Sequence, residues 1–73
     1  MKNFIKYENK SSGVKSYLIG KDFIKVEFKS TGIYIYNYST CGITHVENMK
    51  ELAINNKGLA TYINKYKPKF IRG

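Results

Sequence analysis

Apolar and charged side chains alternate along residues 23–29, where each even position is apolar and positions 25, 27 and 29 are charged. This period of two is typical of a β-strand that is buried on one face. Residues 33–38 are rich in strand-forming isoleucine and tyrosine, and the Lys-Ser-Thr-Gly connection at 29–32 is a hairpin signal. Another run of strand formers, Val14–Ile19, lies between two glycine-containing turn signals. The pattern predicts three antiparallel strands.

In the second half of the chain, apolar residues recur at intervals of three and four. Over residues 43–53 this spacing predicts an amphipathic helix. Thr44 lies three residues before Glu47, which is the spacing of a capping box that would begin the helix. The same intervals over residues 59–66 predict a second, shorter helix that ends before Pro68.

Three strands followed by two helices predict an α+β fold, in which a small antiparallel three-stranded sheet is covered on one face by both helices. We expect one domain, 1–73, because 73 residues suffice for a single small core. Its core spans about 11–66, with flanking arms at 1–10 and 67–73. The first arm could also form a short edge strand.

The helices must bury their apolar stripes against one face of this sheet. We expect them to cover the continuously apolar face, which carries Ile24, Val26, Ile33 and Ile35. The opposite face would then expose aromatic and charged side chains, namely Lys25, Glu27, Lys29, Tyr34, Tyr36 and Tyr38. The reverse assignment would bury the tyrosines instead.

The chain is strongly basic, with 13 Lys and Arg against 5 Asp and Glu, a net charge of +8 and a pI of about 9.7. Such a balance is the electrostatic signature of a nucleic-acid binder, although lysine is also a common solubilising residue. No run of about 20 apolar residues is present, which excludes a membrane-spanning helix in this sequence. The lone cysteine forms no internal disulfide and no signal peptide is visible, so we expect a cytoplasmic protein.

The sequence contains no convincing catalytic group. Cys41 and His45 could form a thiol dyad, but a spacing of four residues is weak evidence, and we expect instead a small apolar cysteine beside a surface histidine. One cysteine and one histidine cannot close a four-ligand zinc site. We therefore expect a protein that is not an enzyme, with no metal and no cofactor.

The tyrosines of residues 33–38 are the most informative feature. Aromatic rings on an exposed sheet face, flanked by lysines, can stack unpaired bases while the lysines hold the phosphates. We predict a nucleic-acid site in which the stacking residues are Tyr34, Tyr36 and Tyr38 and the phosphate ligands are Lys25 and Lys29. Tyrosine is also a good strand residue whose ring can pack against a helix.

Three segments give the chain a family resemblance: Ser11-Ser12-Gly13-Val14, the Ile-Lys-Val-Glu-Phe run that ends at Phe28, and the Ile-Tyr-Ile-Tyr run after Gly32. Together with Leu52-Ala53 and the turn at 55–58, they resemble the KTSC domain, a short module named after the C-terminal region of some lysyl-tRNA synthetases. The resemblance covers about residues 11–66. It implies a stand-alone bacterial or phage-type protein for which RNA binding is suggested, and it brings no catalytic residues.

The sequence thus predicts a small non-enzymatic binding protein whose partner is RNA or another polyanion. The alternative is a small protein–protein interaction module, such as a phage-type inhibitor or anti-defence protein, that binds an acidic host protein or an anionic nucleotide. Exposure of the tyrosines would favour nucleic acid, and burial of the tyrosines would favour a protein partner.

Overall fold

The structure, a computed structural model, describes residues 4–8 and 13–73. These residues form an α+β fold with an antiparallel sheet, as predicted. The sheet has five strands in the order β1-β2-β3-β4-β5, and three helices lie between β4 and β5 in the chain. The elements are β1 (Ile5–Lys6), β2 (Val14–Ile19), β3 (Phe23–Phe28), β4 (Gly32–Asn37), α1 (Tyr38–Cys41), α2 (Ile43–Ile54), α3 (Leu59–Tyr66) and β5 (Ile71–Arg72).

The two edge strands come from the segments predicted to be arms. β1 pairs with β2, and β5 pairs with β4. Tyr7, which follows β1, is only 3% exposed, and its hydroxyl accepts a hydrogen bond from the backbone N–H of Leu59 at 3.2 Å. The short edge strand is therefore confirmed, and the segment 67–73 that was predicted as a flanking arm contains β5. Ser11 and Ser12 lie outside the described residues.

A helical turn, α1, joins β4 to the longer helices and was not predicted. Asn37 caps it, because its side-chain oxygen accepts a hydrogen bond from the Thr40 N–H at 2.8 Å while its own N–H donates to Thr40 Oγ1 at 3.0 Å. The capping box predicted at Thr44 is wrong. Instead, α2 begins after Gly42, at φ +89°, without a side-chain cap.

The two longer helices lie where the apolar intervals predicted them, and α3 ends before Pro68. They contribute five buried side chains to the core: Val46, Met49, Ala53, Leu59 and Ile63. Within the described part of the chain, no helix is long and apolar enough to cross a membrane.

The turn between β3 and β4 contains three residues, 29–31, because Phe28 pairs with Gly32. Gly32 has φ +95°, a backbone conformation that side chains with a Cβ rarely adopt. A four-residue turn that included Gly32 would instead pair Phe28 with Ile33. That difference of one residue shifts the register of β4 and exchanges its two faces.

In the observed register, Ile24 lies opposite Tyr36, and Val26 lies opposite Tyr34. Residues directly opposite each other in an antiparallel pair share a face. Ile24 and Val26 are fully buried and Tyr36 is 1% exposed, all in one cluster with the helix side chains. The helices therefore cover the face of Ile24 and Val26, as predicted, but that face carries the tyrosines of β4.

The prediction for the isoleucines of β4 is wrong. Ile33 lies opposite Glu27, and Ile35 lies opposite Lys25. Both isoleucines are half-buried and lie outside the core cluster. They share the face that the helices leave uncovered.

Two neighbouring positions of β4 test this assignment. Tyr36→Ala removes a fully buried ring and should lower the free energy of unfolding by ~3–5 kcal/mol. Ile35→Ala removes a half-buried side chain from the other face and should cost less than about 1.5 kcal/mol. Urea unfolding followed by far-UV circular dichroism measures both values. Equal losses, or a larger loss for Ile35→Ala, would contradict the assigned faces.

Candidate functional site

Tyr36 lies in the core and is not available for base stacking. It is 1% exposed, and the Phe70 ring lies 5.8 Å from its ring centroid. Burial raises the pKa of Tyr36 well above the usual tyrosine value, with a smaller contribution from Tyr34. Its ring supports the fold and is closed to a ligand.

The Tyr34 ring is covered by other side chains of the protein. Phe70 stacks on it in parallel, with 4.0 Å between centroids and 4° between planes, and the Phe28 ring lies 5.0 Å away. The guanidinium of Arg72 lies 5.2 Å from the same ring and donates a hydrogen bond to the Thr31 carbonyl at 2.8 Å. The C-terminal segment thus occupies the surface that a base would need.

Tyr38 begins α1 and bonds to α2. Its hydroxyl donates to Glu47 Oε2 at 2.7 Å, and the same oxygen accepts from Lys50 Nζ at 2.8 Å. Lys50 lowers the pKa of Glu47, and Tyr38 reinforces this effect; the hydrogen bond to Glu47 in turn raises the pKa of Tyr38. The Lys50 ammonium also lies 5.7 Å from the Tyr38 ring. Tyr38 therefore joins two helices.

The two predicted phosphate ligands lie on the other face of the sheet and in the β3–β4 turn. Lys25 lies on the sheet face opposite Tyr34 and Tyr36, beside Leu18 and Ile35. Lys29 is exposed in the turn between β3 and β4. The site predicted from Tyr34, Tyr36, Tyr38, Lys25 and Lys29 is therefore not assembled, because the register of β4 places the Tyr34 and Tyr36 rings on the sheet face opposite Lys25.

The sheet surface opposite the helices, here called the open face, carries the candidate site. Its side chains come from four strands: Leu18 of β2, Phe23, Lys25 and Glu27 of β3, Ile33 and Ile35 of β4, and Ile71 of β5. The central apolar members are half-buried, and Ile71 is 50% exposed. None of the apolar members belongs to the core cluster of the described residues. The open face is an apolar sheet surface that the described helices do not cover.

The two charged side chains of the open face, Glu27 and Lys25, differ in how many of their polar atoms already have a partner. Glu27 accepts a hydrogen bond from Ser16 Oγ at 2.8 Å, which satisfies part of its carboxylate. Lys25 forms no ion pair with any described residue, and its ammonium lies 5.7 Å from the Phe23 ring. Neither Lys25 nor Glu27 forms an ion pair with a described residue, but Lys25 keeps more of its hydrogen-bonding capacity free for a partner.

Sequence reasoning missed the open face as a site. The signal was in the turn at 29–31, since an odd number of turn residues places Ile35 beside Lys25. Choosing between three and four turn residues requires the backbone conformation of Gly32, and the apolar alternation alone does not supply it.

Cys41 and His45 do not form a dyad. Cys41 ends α1, and its thiol donates to the Asn37 carbonyl at 3.6 Å. His45 instead makes a 2.6 Å hydrogen bond through Nδ1 to the Tyr62 hydroxyl. Burial raises the pKa of Cys41, although a hydrogen bond with Thr40 opposes this. The described residues contain no group of three side chains that could hold a metal ion.

The half-buried thiol of Cys41 should react slowly. Because the pKa of Cys41 is raised, the thiolate fraction at neutral pH is below that of an unperturbed cysteine. Iodoacetamide alkylation, followed by mass spectrometry from pH 6 to 10, should therefore be slower in the folded protein than in urea, and His45→Gln should leave the rate unchanged. Fast alkylation at pH 7 that depends on His45 would show that Cys41 and His45 do act as a dyad.

Comparisons of the chain with protein-family models, with curated proteins and with solved structures found no match. The resemblance to the KTSC domain therefore stays a prediction from the sequence.

Proposed function

We propose that this protein is a small non-enzymatic interaction module that docks its open face on an acidic surface of another protein. The observation that carries the proposal is the set of uncovered apolar side chains around Lys25. Contiguous apolar surface that a small domain leaves in water favours association with a partner. The burial of Tyr36 and the stacking of Phe70 on Tyr34 remove the main support for the predicted nucleic-acid site.

The charge of the chain supports an acidic partner. The chain carries a net charge of +8, so two copies repel each other and an acidic partner is attracted. Lys25 lies among apolar neighbours on the open face and has no described ion-pair partner, so an incoming carboxylate would give it a charge-assisted hydrogen bond. The isoleucines and Phe23 would supply the apolar contact area around that pair.

The open face also has suitable geometry for such contact. Its isoleucines are held on the central strand pair β3–β4, with six paired positions between the two strands. Side chains fixed on paired strands lose little conformational freedom on binding, which favours affinity. Ile71 extends the surface to the edge strand β5.

Site-directed photo-crosslinking in the native cells tests the proposal. A benzoylphenylalanine at position 71, on the open face, should yield one predominant adduct with an acidic protein, and the same probe at position 54, on α2, should not. Ile35→Glu should weaken binding of that partner by about thirtyfold or more, since truncating or charging a central anchor costs ~2 kcal/mol or more.

The matched control is Ile43→Glu, which makes the same substitution at a residue that is 60% exposed on α2. It should bind the partner as the wild type does. Circular dichroism should show that both variants are folded, because a glutamate at position 35 lies opposite Lys25. An adduct that persists unchanged in Ile35→Glu would contradict the proposal.

Single-stranded RNA is the second candidate, and exposed aromatic residues near the C-terminus favour it. Tyr66 is 51% exposed and Phe70 is 41% exposed, and the Lys65 ammonium lies 5.2 Å from the Tyr66 ring. Lys67, Lys69 and Arg72 are close by in the chain. Exposed rings beside cations can stack bases and hold phosphates.

The RNA candidate makes its own prediction. For three to five phosphate contacts, the slope of log K against log salt should be roughly −2 to −3.5 with a labelled oligouridylate. Tyr66→Ala should weaken binding by ~1–3 kcal/mol without changing the slope, and Tyr66→Phe, which keeps the ring, should bind normally. Lys69→Ala should reduce the slope by about 0.7. Fluorescence anisotropy measures these values, and wild-type affinity in Tyr66→Ala would leave only non-specific charge attraction.

A further inference from the structure

A cavity of about 450 Å³ lies where β1 pairs with the beginning of β2. Val14, Ser16 and Tyr7, all buried, contribute to its wall. The register between β2 and β3 shifts between Val14 and Ser16, and the intervening Lys15 is exposed at the cavity. Irregularities of this kind turn a side chain out of the strand pattern.

Backbone hydrogen bonds fix the positions of the two segments that carry Lys15 and Lys29 at this cavity. The Tyr7 N–H donates to the Lys15 carbonyl at 3.0 Å, which ties β1 to the irregular part of β2. The Lys29 N–H donates to the Gly13 carbonyl at 2.8 Å, which brings the β3–β4 turn beside the cavity. Lys15 and Lys29 therefore line the cavity from different segments, and backbone hydrogen bonds connect these segments.

The charge around this cavity is unbalanced. Lys6 forms a 3.8 Å ion pair with Glu8, and both side chains line the cavity. Lys15 and Lys29 form no ion pair with any described residue. Two cations thus remain available beside a wall that contains Val14 and Tyr7.

We propose that this cavity binds a small aromatic phosphate the size of a nucleoside monophosphate. Lys15 and Lys29 would hold the phosphate, and the ring of Phe4, which is 37% exposed at the cavity, would contact the base. The volume lies within the range of about 300–1,000 Å³ that is usual for small-molecule sites. Ser16 lines the cavity and also bonds to Glu27 of the open face, so the two surfaces adjoin. Lys15, Phe4 and Val14 of the cavity are not part of the open face, so this site goes beyond the proposed protein contact.

Titration of the full chain with AMP, followed by ¹H–¹⁵N correlation spectra, tests the proposal. Saturable shifts should concentrate on the described amides at 4–8, 13–16 and 29. Adenosine and inorganic phosphate, which each carry half of the proposed ligand, should each bind at least about tenfold more weakly than AMP. Absence of cavity shifts at about 10 mM AMP, or shifts concentrated elsewhere, would overturn the proposal.

A pair of double variants separates the cavity from general charge attraction. Lys15→Ala/Lys29→Ala should weaken AMP binding by about tenfold or more. Lys65→Ala/Lys69→Ala removes the same charge at exposed positions outside the cavity and should leave the affinity within about twofold. The dispersion of the same spectra shows whether each variant is folded. Equal weakening by both pairs would mean that AMP binds by non-specific attraction to the net charge, and this result would overturn the proposal.

Discussion

The three-residue turn at 29–31 determines which side chains of β4 the helices cover. Gly32 makes this turn feasible because it adopts φ +95° at the first paired position of the strand. Every β4 side chain then takes its face from the pairing of Phe28 with Gly32. Tyr36 enters the core opposite Ile24, and Ile35 is left beside Lys25.

The register of β4 also determines how the C-terminal segment and α2 pack against its tyrosines. With Tyr34 on the helix side of the sheet, the C-terminal segment can place Phe70 in parallel contact with its ring and Arg72 over it. Tyr38, one residue beyond β4, uses its hydroxyl to bind Glu47 of α2. These tyrosines hold segments together, which is a different role from the base stacking that their spacing suggests. The described residues form two longer helices that both pack on one face, so they leave the other face of the sheet uncovered.

Much of the architecture could be predicted because it follows from local periodicity. The alternation in β3 and the three- and four-residue intervals in α2 and α3 gave the correct elements at nearly the correct bounds. β5 was missed because two residues, Ile71 and Arg72, are too few to show a period. The site was missed for a different reason: both faces of β4 are apolar enough to be buried, so composition could not decide between Ile35 and Tyr36. That decision depends on a turn conformation, which sequence pattern specifies weakly.

Nuclear Overhauser contacts of the β4 side chains, measured in the free protein, test the assigned faces most directly. The register predicts contacts between the Tyr36 ring and the Ile24 methyl groups, because these residues lie directly opposite each other on the covered face. It also predicts contacts between the Ile35 methyl groups and the Lys25 side chain, with none from Ile35 to Val46 of α2. Contacts that join Ile35 to Val46, together with a solvent-exposed Tyr36 ring, would contradict the account and return the tyrosines to the exposed face.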